Sequence, residues 1–282
     1  MCDKKKKKGN KQSMRYAQLV VGPCGVGKTT YCAKMKEHCS VTKRNVFLVN
    51  MDPANETMQY TPDVDIRNVI SLEEVMREER LGPNGGLLRC MHYLADNLEW
   101  LEEELERFGE SAYFIFDMPG QLELYSHDLA MQRLVSSLQG LGIQCCSVHL
   151  IDATFTQDAA KFLGGMLASL SCMLLIPLPH INVLSKCDLV GKDVVAKFLK
   201  PRADWLVDQL QSSTSPKFTA LNRSMAEILE EFSMVSYVAL DMRDDDCVDS
   251  VLAAIDHCIQ FGEDEEPRQL RDQGDHVDQH DY

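Results

Sequence analysis

The stretch Gly22-Pro23-Cys24-Gly25-Val26-Gly27-Lys28-Thr29 decides the fold. It reads G-x-x-x-x-G-K-[ST], follows the apolar run at 16–21 and opens a helical stretch near Thr30. Glycines let a backbone wrap a phosphate with its N–H groups, and the helix that follows adds the positive end of its dipole. Lys28 then has the reach to bind β- and γ-phosphates, and the Thr29 hydroxyl is placed to ligate Mg²⁺. Gly22, Gly25, Val26, Gly27, Lys28, Thr29 and Thr30 are therefore the expected phosphate site. An ordinary glycine turn would need no lysine and hydroxyl at the helix start.

Outward from this loop, apolar runs at 17–21, 46–49, 113–116, 148–151, 181–184 and 235–240 read as buried strands. The segments between them carry helical spacing. In the clearest, Leu87, Met91, Leu94, Leu98, Leu101, Leu105 and Phe108 recur every three or four residues, which predicts one helix. Ser71 and Glu74 form an S-x-x-E capping box at the start of another. Such alternation predicts an α/β fold, a mainly parallel sheet covered on both faces, with the phosphate loop at its carboxyl edge. The expected organisation is one domain over 14–262 with a helical insertion at about 53–111. A Lys-rich tail at 1–13 and an acidic tail at 263–282 lack apolar periodicity and are expected to be disordered.

The 282 residues suffice for a large core, and a formal charge of −14 with a pI near 5.0 argues against direct nucleic-acid binding. The 11 cysteines contain no C-x-x-C pair, and several sit inside apolar runs, as Cys145, Cys146 and Cys172 do. They read as buried reduced thiols of a cytoplasmic protein rather than disulfides or zinc ligands. No secretory signal is evident at the N-terminus. The longest uncharged run, 162–179, holds glycines, serines and prolines and is expected to be a buried helix, with a role in a subunit contact, rather than a membrane span.

Further motifs fall after the strands. Asp52, in Asp52-Pro53-Ala54-Asn55-Glu56, can hold metal-bound water or orient the attacking one, or can simply start a turn. Asp117-Met118-Pro119-Gly120-Gln121 has the strand-D-x-P-G-Q arrangement of many GTPases. There the aspartate lies near the metal, the glycine N–H senses the γ-phosphate and the glutamine positions water. In Ser185-Lys186-Cys187-Asp188, the carboxylate can accept from guanine N1–H and the 2-amino group, neither of which adenine offers. Lys186 can lay its stem over the base. Serine at position 185, where asparagine or threonine is usual, is expected to weaken the tether to the phosphate loop. Ala239 and Leu240 are candidates for a backbone contact to the guanine carbonyl. Modification of the Cys24 and Cys187 thiols, which flank these contacts, is expected to block binding. Between Asp52 and Asp117 lies Gly82-Pro83-Asn84, which as a plain turn would use Asn84 as a helix cap.

This set of residues resembles the GPN-loop GTPase family, a dimeric branch of the P-loop GTPases. The resemblance runs from Arg15 to about Asp264, with Gly82-Pro83-Asn84 as the signature. The start at 15–20, Pro216-Lys217-Phe218 and the ending at 259–264 most resemble the family's third branch; the segments at 52–56 and 179–186 are also similar to the second. The resemblance implies a three-layer P-loop NTPase fold and a homodimer or heterodimer with another GPN-loop GTPase. In it, Asn84 reaches toward the partner's nucleotide and does the work of an arginine finger. It implies that Asp52 and Gln121 handle the water and that Thr29, Asp117 and Asp52 serve Mg²⁺. It further implies GTP and GDP as ligands, RNA polymerase II subunits or assembly factors as partners in polymerase assembly and nuclear import, and a cytoplasmic location with shuttling to the nucleus. Arg67 is a spare cation, more simply read as paired with a neighbouring acid. Two other readings stand beside this one: a nucleotide-holding, non-catalytic partner subunit, and a small-molecule kinase using ATP, which would not need Asp188.

Overall fold

Six consecutive buried residues follow Arg15 in β1 (Arg15–Val21), so neither face of this strand meets water. A strand buried on both faces belongs in the middle of a parallel sheet. The computed structural model describes residues 14–263 except 57, 122, 127, 128 and 232–235. The tails expected at 1–13 and beyond 263 lie outside the described residues.

Among these, the strands are β1, β2 (Val46–Asn50), β3 (Val64–Asp65), β4 (Tyr113–Asp117), β5 (Ile143–Asp152), β6 (His180–Ser185) and β7 (Tyr237–Ala239). They form one seven-stranded sheet in the order β3-β2-β4-β1-β5-β6-β7. Every pairing is parallel. The helices are α1 (Lys28–Val41), α2 (Leu72–Glu79), α3 (Pro83–Asp96), α4 (Leu98–Glu106), α5 (Glu123–Ser126) and α6 (Ala130–Gly140). They continue with α7 (Ala159–Leu175), α8 (Lys192–Phe198), α9 (Ala203–Ser213), α10 (Thr219–Glu231) and α11 (Asp245–Cys258).

Alternate side chains of β1 divide the core between two faces. Ala17, Leu19 and Val21 pack with Leu87, Met91, Leu101 and Leu134 of α3, α4 and α6. Tyr16 and Val20 pack with Tyr31 and Met35 of α1 and Val251 and Ile255 of α11. Farther along the first face, Ile151 and Leu184 meet Phe162 of α7 and Leu206 of α9. The three layers expected from the strand–helix alternation are present. Gln18 is a polar residue in the buried strand. It donates to the Tyr113 hydroxyl at 2.7 Å and accepts from the Tyr31 hydroxyl at 2.8 Å, so its burial leaves no amide group unpaired.

Three local features differ from the sequence reading. The single helix expected over 87–108 is two, broken at Asn97 (φ −127°, ψ 42°), whose Nδ2 donates to Tyr93 O at 2.7 Å. That side chain satisfies a carbonyl at the end of α3, and the periodic leucines continue across the break because α4 packs on the same core. The two residues of β3 extend the sheet inside the insertion and are too few to show a period. The uncharged run is the buried helix α7, but it stops at Leu175, and Ile176 turns extended (φ −95°, ψ 111°) ahead of Pro177. Ser71 caps α2 as expected, its side chain accepting from Glu74 N at 3.4 Å.

The described cysteines are all free, and burial pushes the Cys145 and Cys172 thiols up to about 12. No helix among the described residues is long and apolar enough to cross a membrane.

Two stacked imidazoles make this fold acid-sensitive. His149 on β5 and His180 on β6 have ring centroids 5.9 Å apart; His149 Nε2 and His180 Nδ1 have no protein partner among the described residues. Burial lowers His149 from 6.5 to about 3, helped by the nearby charges of His180 and Lys28, and burial lowers His180 to about 4. Both rings stay neutral in the fold, whereas the unfolded chain protonates below about 6.5. Their neutral burial is therefore without penalty above that pH, and stability falls as pH drops from 6.5 toward 4. At pH 5 the loss is about 2 kcal/mol for each ring. Asp52 and Asp117, whose carboxyls burial pushes up, act in the opposite sense. The measurement is therefore urea unfolding at pH 7.5 and 5.0 for wild type and for His149→Gln/His180→Gln, with the acid-induced loss expected to shrink in the variant.

Candidate functional site

Parallel strands bring their carboxyl ends to one edge, and the order of the sheet places β1 between β4 and β5. The chain therefore opens a crevice where the connections diverge to either side. The phosphate loop leaves β1 at this point. Gly22 has φ +139°, and a Cβ there would stand 2.6 Å from Leu150 O, so glycine alone fits. The loop then closes on Gly27, which precedes α1 without any side-chain cap, leaving the first N–H groups of the helix for a ligand.

Lys28 is 7% exposed and donates to Gly22 O at 3.0 Å and Pro23 O at 3.2 Å. It thus lies folded back along the phosphate loop. Burial lowers its pKa, opposed by the negative groups Asp117 and Asp52. Gly120 abuts it: a Cβ there would stand 2.9 Å from Lys28 Nζ, 2.6 Å from Cys24 Sγ and 3.0 Å from Cys24 Cα. Cys24 Sγ also donates to Gly120 O at 3.2 Å. The D-x-P-G-Q segment is therefore pressed directly onto the phosphate loop.

Beside this contact, Asp117 at the end of β4 accepts from the hydroxyls of Thr29 and of Tyr60, the latter at 3.0 Å. Asn55 Nδ2 donates to Thr29 Oγ1 at 3.2 Å. Asp52 Oδ1 accepts from Ala54 N at 2.9 Å, so the turn reading of this residue holds alongside any chemical one. Burial raises Asp117 despite the Thr29, Tyr60 and Lys28 contacts, and Asp52 raises it further; burial also raises Asp52. A buried carboxylate, Asp117, and a half-buried one, Asp52, beside a hydroxyl are a hard oxygen set that fits a Mg²⁺ ion. Arg67 is not available to this corner: it pairs with Asp65 at 2.6 Å and donates to Asn55 O at 2.7 Å.

The base loop follows β6. Ser185 Oγ lies 2.9 Å from Val26 O and 3.0 Å from Ile151 O. The tether to the phosphate loop that serine was expected to weaken is made, with one hydroxyl hydrogen between two carbonyls. Lys186 Nζ donates to Gly25 O at 2.6 Å and pairs with Asp152 Oδ2 at 2.7 Å, so its stem crosses the phosphate loop. Cys187 Sγ donates to Leu184 O at 3.0 Å, and burial pushes its thiol up to about 11. It is a packed, weakly reactive group, contrary to its expected part in thiol control; Cys24 is exposed. Asp188 lines a cavity of about 260 Å³ with Gly27, Thr30, Lys186, Asp241 and Arg243. Ala239 ends the edge strand β7, and Leu240 N is already engaged with Leu184 O at 2.9 Å. A larger cavity of about 490 Å³ near Arg15, Phe108 and Leu141 sits by the amino end of β1, away from the phosphate loop.

Gly82, not Asn84, is the N-cap of α3, and Pro83 takes the first helical position. The Asn84 side chain is thus free of capping, and its Oδ1 accepts from Gln121 Nε2 at 2.8 Å in the same chain. The sequence reading did not single out Tyr60, Asn55, Asp152 or Arg243 as site residues. Asp152, standing at a strand end like Asp52 and Asp117, carried a usable signal, and Asn55 lies within the Asp52-to-Glu56 motif; Tyr60 and Arg243 sit in segments with no motif.

A family model described as "Conserved hypothetical ATP binding protein" matches residues 20–261. A GPN-loop GTPase 3 from Mycosarcoma maydis is 44% identical over 271 residues, covering 92% of this chain and 96% of that protein. Proteins of the same name from Dictyostelium discoideum (43%, 90% of each chain) and Danio rerio (40%, 92% of each chain) are similar throughout. The likeness to the family's third branch is borne out by the names of these relatives. The crystal structure of a GTPase in apo form from Pyrococcus abyssi matches with a TM-score of 0.70 at 23% identity, over 86% of this chain and 97% of that one, which shows the shared fold. On the strength of the matched family model and of relatives alike over nine tenths of its length, this chain belongs to the GPN-loop GTPase family.

Proposed function

We propose that this chain binds GTP with Mg²⁺ and hydrolyses its β–γ phosphoanhydride, working as a dimeric switch. The observation that carries the reading is the convergence of Lys28, Asp117 and the base-loop residue Asp188 at one sheet edge, joined by Gly120 against Lys28 and by Ser185 and Lys186 against the phosphate loop. Mg²⁺, held by Thr29 and Asp117 with Asp52 beside it, would neutralise charge on the β- and γ-phosphates. Lys28 exchanges its two loop carbonyls for phosphate oxygens. Gly120, in contact with Lys28, is positioned to offer its N–H to the γ-phosphate and register its loss. Gln121 orients the attacking water, and Asn84 holds the Gln121 amide.

The family model's description names ATP, while the relatives are named GTPases. Adenine would set its N1 acceptor against the Asp188 carboxylate, leaving a charged acceptor unpaired, which favours guanine by a large factor. Competition between GTP and ATP for the purified protein decides the matter; equal affinity defeats the guanine reading.

Asn84→Ala removes the acceptor that holds the Gln121 amide and should lower turnover about 10- to 100-fold, the scale for a misplaced catalytic group, with GTP affinity little changed. Single-turnover rates give the answer, and an unchanged rate removes Asn84 from the mechanism. Dimerisation, with Asn84 also facing a partner's nucleotide, is supported by family resemblance. A rate per protomer that rises with protein concentration would report it. The resemblance likewise supports a second GPN-loop GTPase as partner, RNA polymerase II subunits or assembly factors as clients, and shuttling between cytoplasm and nucleus. Co-purification of the protein from its cells, with identification of bound subunits and nucleotide, tests that part.

A further inference from the structure

Asp188 Oδ2 pairs with Arg243 Nη2 at 2.6 Å, and both side chains line the cavity beside the phosphate loop. The arginine is set by the turn before it: Asp241 Oδ1 accepts Arg243 N at 2.9 Å and lies 3.6 Å from its Nε. Nε and Nη2 therefore face carboxylates, while Nη1 has no partner among the described residues. The Arg243 side chain is 70% exposed and that of Asp188 23%, so the ion pair alone contributes little to stability. Its worth has to come from what the guanidinium presents to the cavity.

Guanine shows three groups along the edge that a base-reading carboxylate meets: the O6 acceptor, N1–H and the 2-amino group. Asp188 can take the two donors and leaves O6 without one. The Leu240 amide, one backbone candidate for that contact, donates to Leu184 O at 2.9 Å, and Cys187 N donates to Leu240 O at 3.1 Å. We propose that Arg243 reads O6, donating from Nη1 to the base carbonyl while Nη2 holds Asp188 in the orientation that takes N1–H and the 2-amino group. The inference rests on the assignment of Asp188 to guanine. O6 and N1–H are adjacent, so a planar guanidinium paired with the oxygen that takes N1–H has its neighbouring nitrogen beside O6. A carboxylate has lone pairs enough for the arginine and both base donors together. Adenine reverses the pattern, setting an amino donor against the guanidinium and a ring acceptor against the carboxylate. Arg243 and Asp188 thus reject adenine as a unit.

Binding of GDP, IDP, 6-thio-GDP and ADP to wild type, Arg243→Ala, Arg243→Lys and Asp188→Ala tests the proposal. GDP and IDP share O6, whereas 6-thio-GDP replaces it with a weakly accepting sulfur. Arg243→Ala should weaken GDP and IDP alike by about 10-fold and 6-thio-GDP by less than about 3-fold, with Arg243→Lys recovering part of the loss. The proposal is overturned by a GDP affinity within twofold of wild type, by tighter GDP binding (which would make Arg243 a competitor for Asp188), or by an equal loss for 6-thio-GDP. Asp188→Ala separates the two levels. If it leaves the preference for GDP over ADP unchanged, the guanine assignment falls, and the role of Arg243 falls with it. Thermal melting of Arg243→Ala should match wild type, since the side chain is largely exposed.

Discussion

Replacing Lys28 with methionine is expected to weaken GTP binding by at least about 100-fold, the scale of about 3 kcal/mol for charge-assisted bonds to phosphate. The same change is expected not to lower the melting temperature of the nucleotide-free protein. Lys28 is an ammonium buried to 7% exposure, and burial is the largest influence on its pKa, which is lowered. A base whose pKa is lower in the fold than in the unfolded chain opposes folding throughout the range below its ordinary value of 10.5, because the unfolded chain holds the proton more readily. Methionine keeps the stem and removes the charge. Against this stand two bonds to loop carbonyls, at 3.0 and 3.2 Å. Titration with a fluorescent guanine nucleotide reads the first effect, and differential scanning fluorimetry without nucleotide reads the second. A retained affinity would mean that the phosphate lies elsewhere. A steep fall in melting temperature would make the lysine a structural ion-pair partner of Asp117 rather than a charge held in readiness for a ligand.

Gly120→Ala is expected to be the second severe substitution, with a different signature. A methyl group at this position would have to lie 2.6 Å from Cys24 Sγ, 2.9 Å from Lys28 Nζ and 3.0 Å from Cys24 Cα. The lysine terminus and the thiol can move, but the Cys24 backbone belongs to the phosphate loop. The Asp117-to-Gln121 segment must therefore lift, taking Gln121 and its bond to Asn84 out of place. Misplacement by about 1 Å costs on the order of 100-fold in rate. Turnover should fall by that factor while GDP, which lacks the γ-phosphate, binds within a few-fold of wild type. Adding Cys24→Ala should restore little, since the Cα clash persists. Single-turnover hydrolysis beside GDP titration distinguishes this from simple loss of the nucleotide site, and equal losses in both would count against the assigned role of Gly120.

Contiguous signals explain what could be read before the fold was known. The phosphate loop, the D-x-P-G-Q segment and the S-K-C-D segment each carry their spacing within a few residues, and each stands after an apolar run. Helix breaks were less legible: α3 and α4 share one unbroken hydrophobic period, and the break lies at Asn97, whose backbone leaves the helical region and whose amide donates to Tyr93 O. Asn84 shows the same limit at the site. Its sequence position suits a cap, yet Gly82 and Pro83 begin the helix, and that leaves the amide to meet Gln121.

The order of residues along the chain determined the phosphate loop, the α/β class and the strand ends that hold Asp52, Asp117 and Asp188, because these depend on backbone freedom and hydrophobic period over short stretches. Only the tertiary structure decided that Tyr60 holds Asp117, Asn55 holds Thr29, Lys186 bridges Gly25 and Asp152, and Arg243 holds Asp188. Those partners are distant in sequence and share no period. They meet because the sheet order β3-β2-β4-β1-β5-β6-β7 gathers the carboxyl ends of parallel strands at one edge, where each loop finds its neighbours in space rather than along the chain.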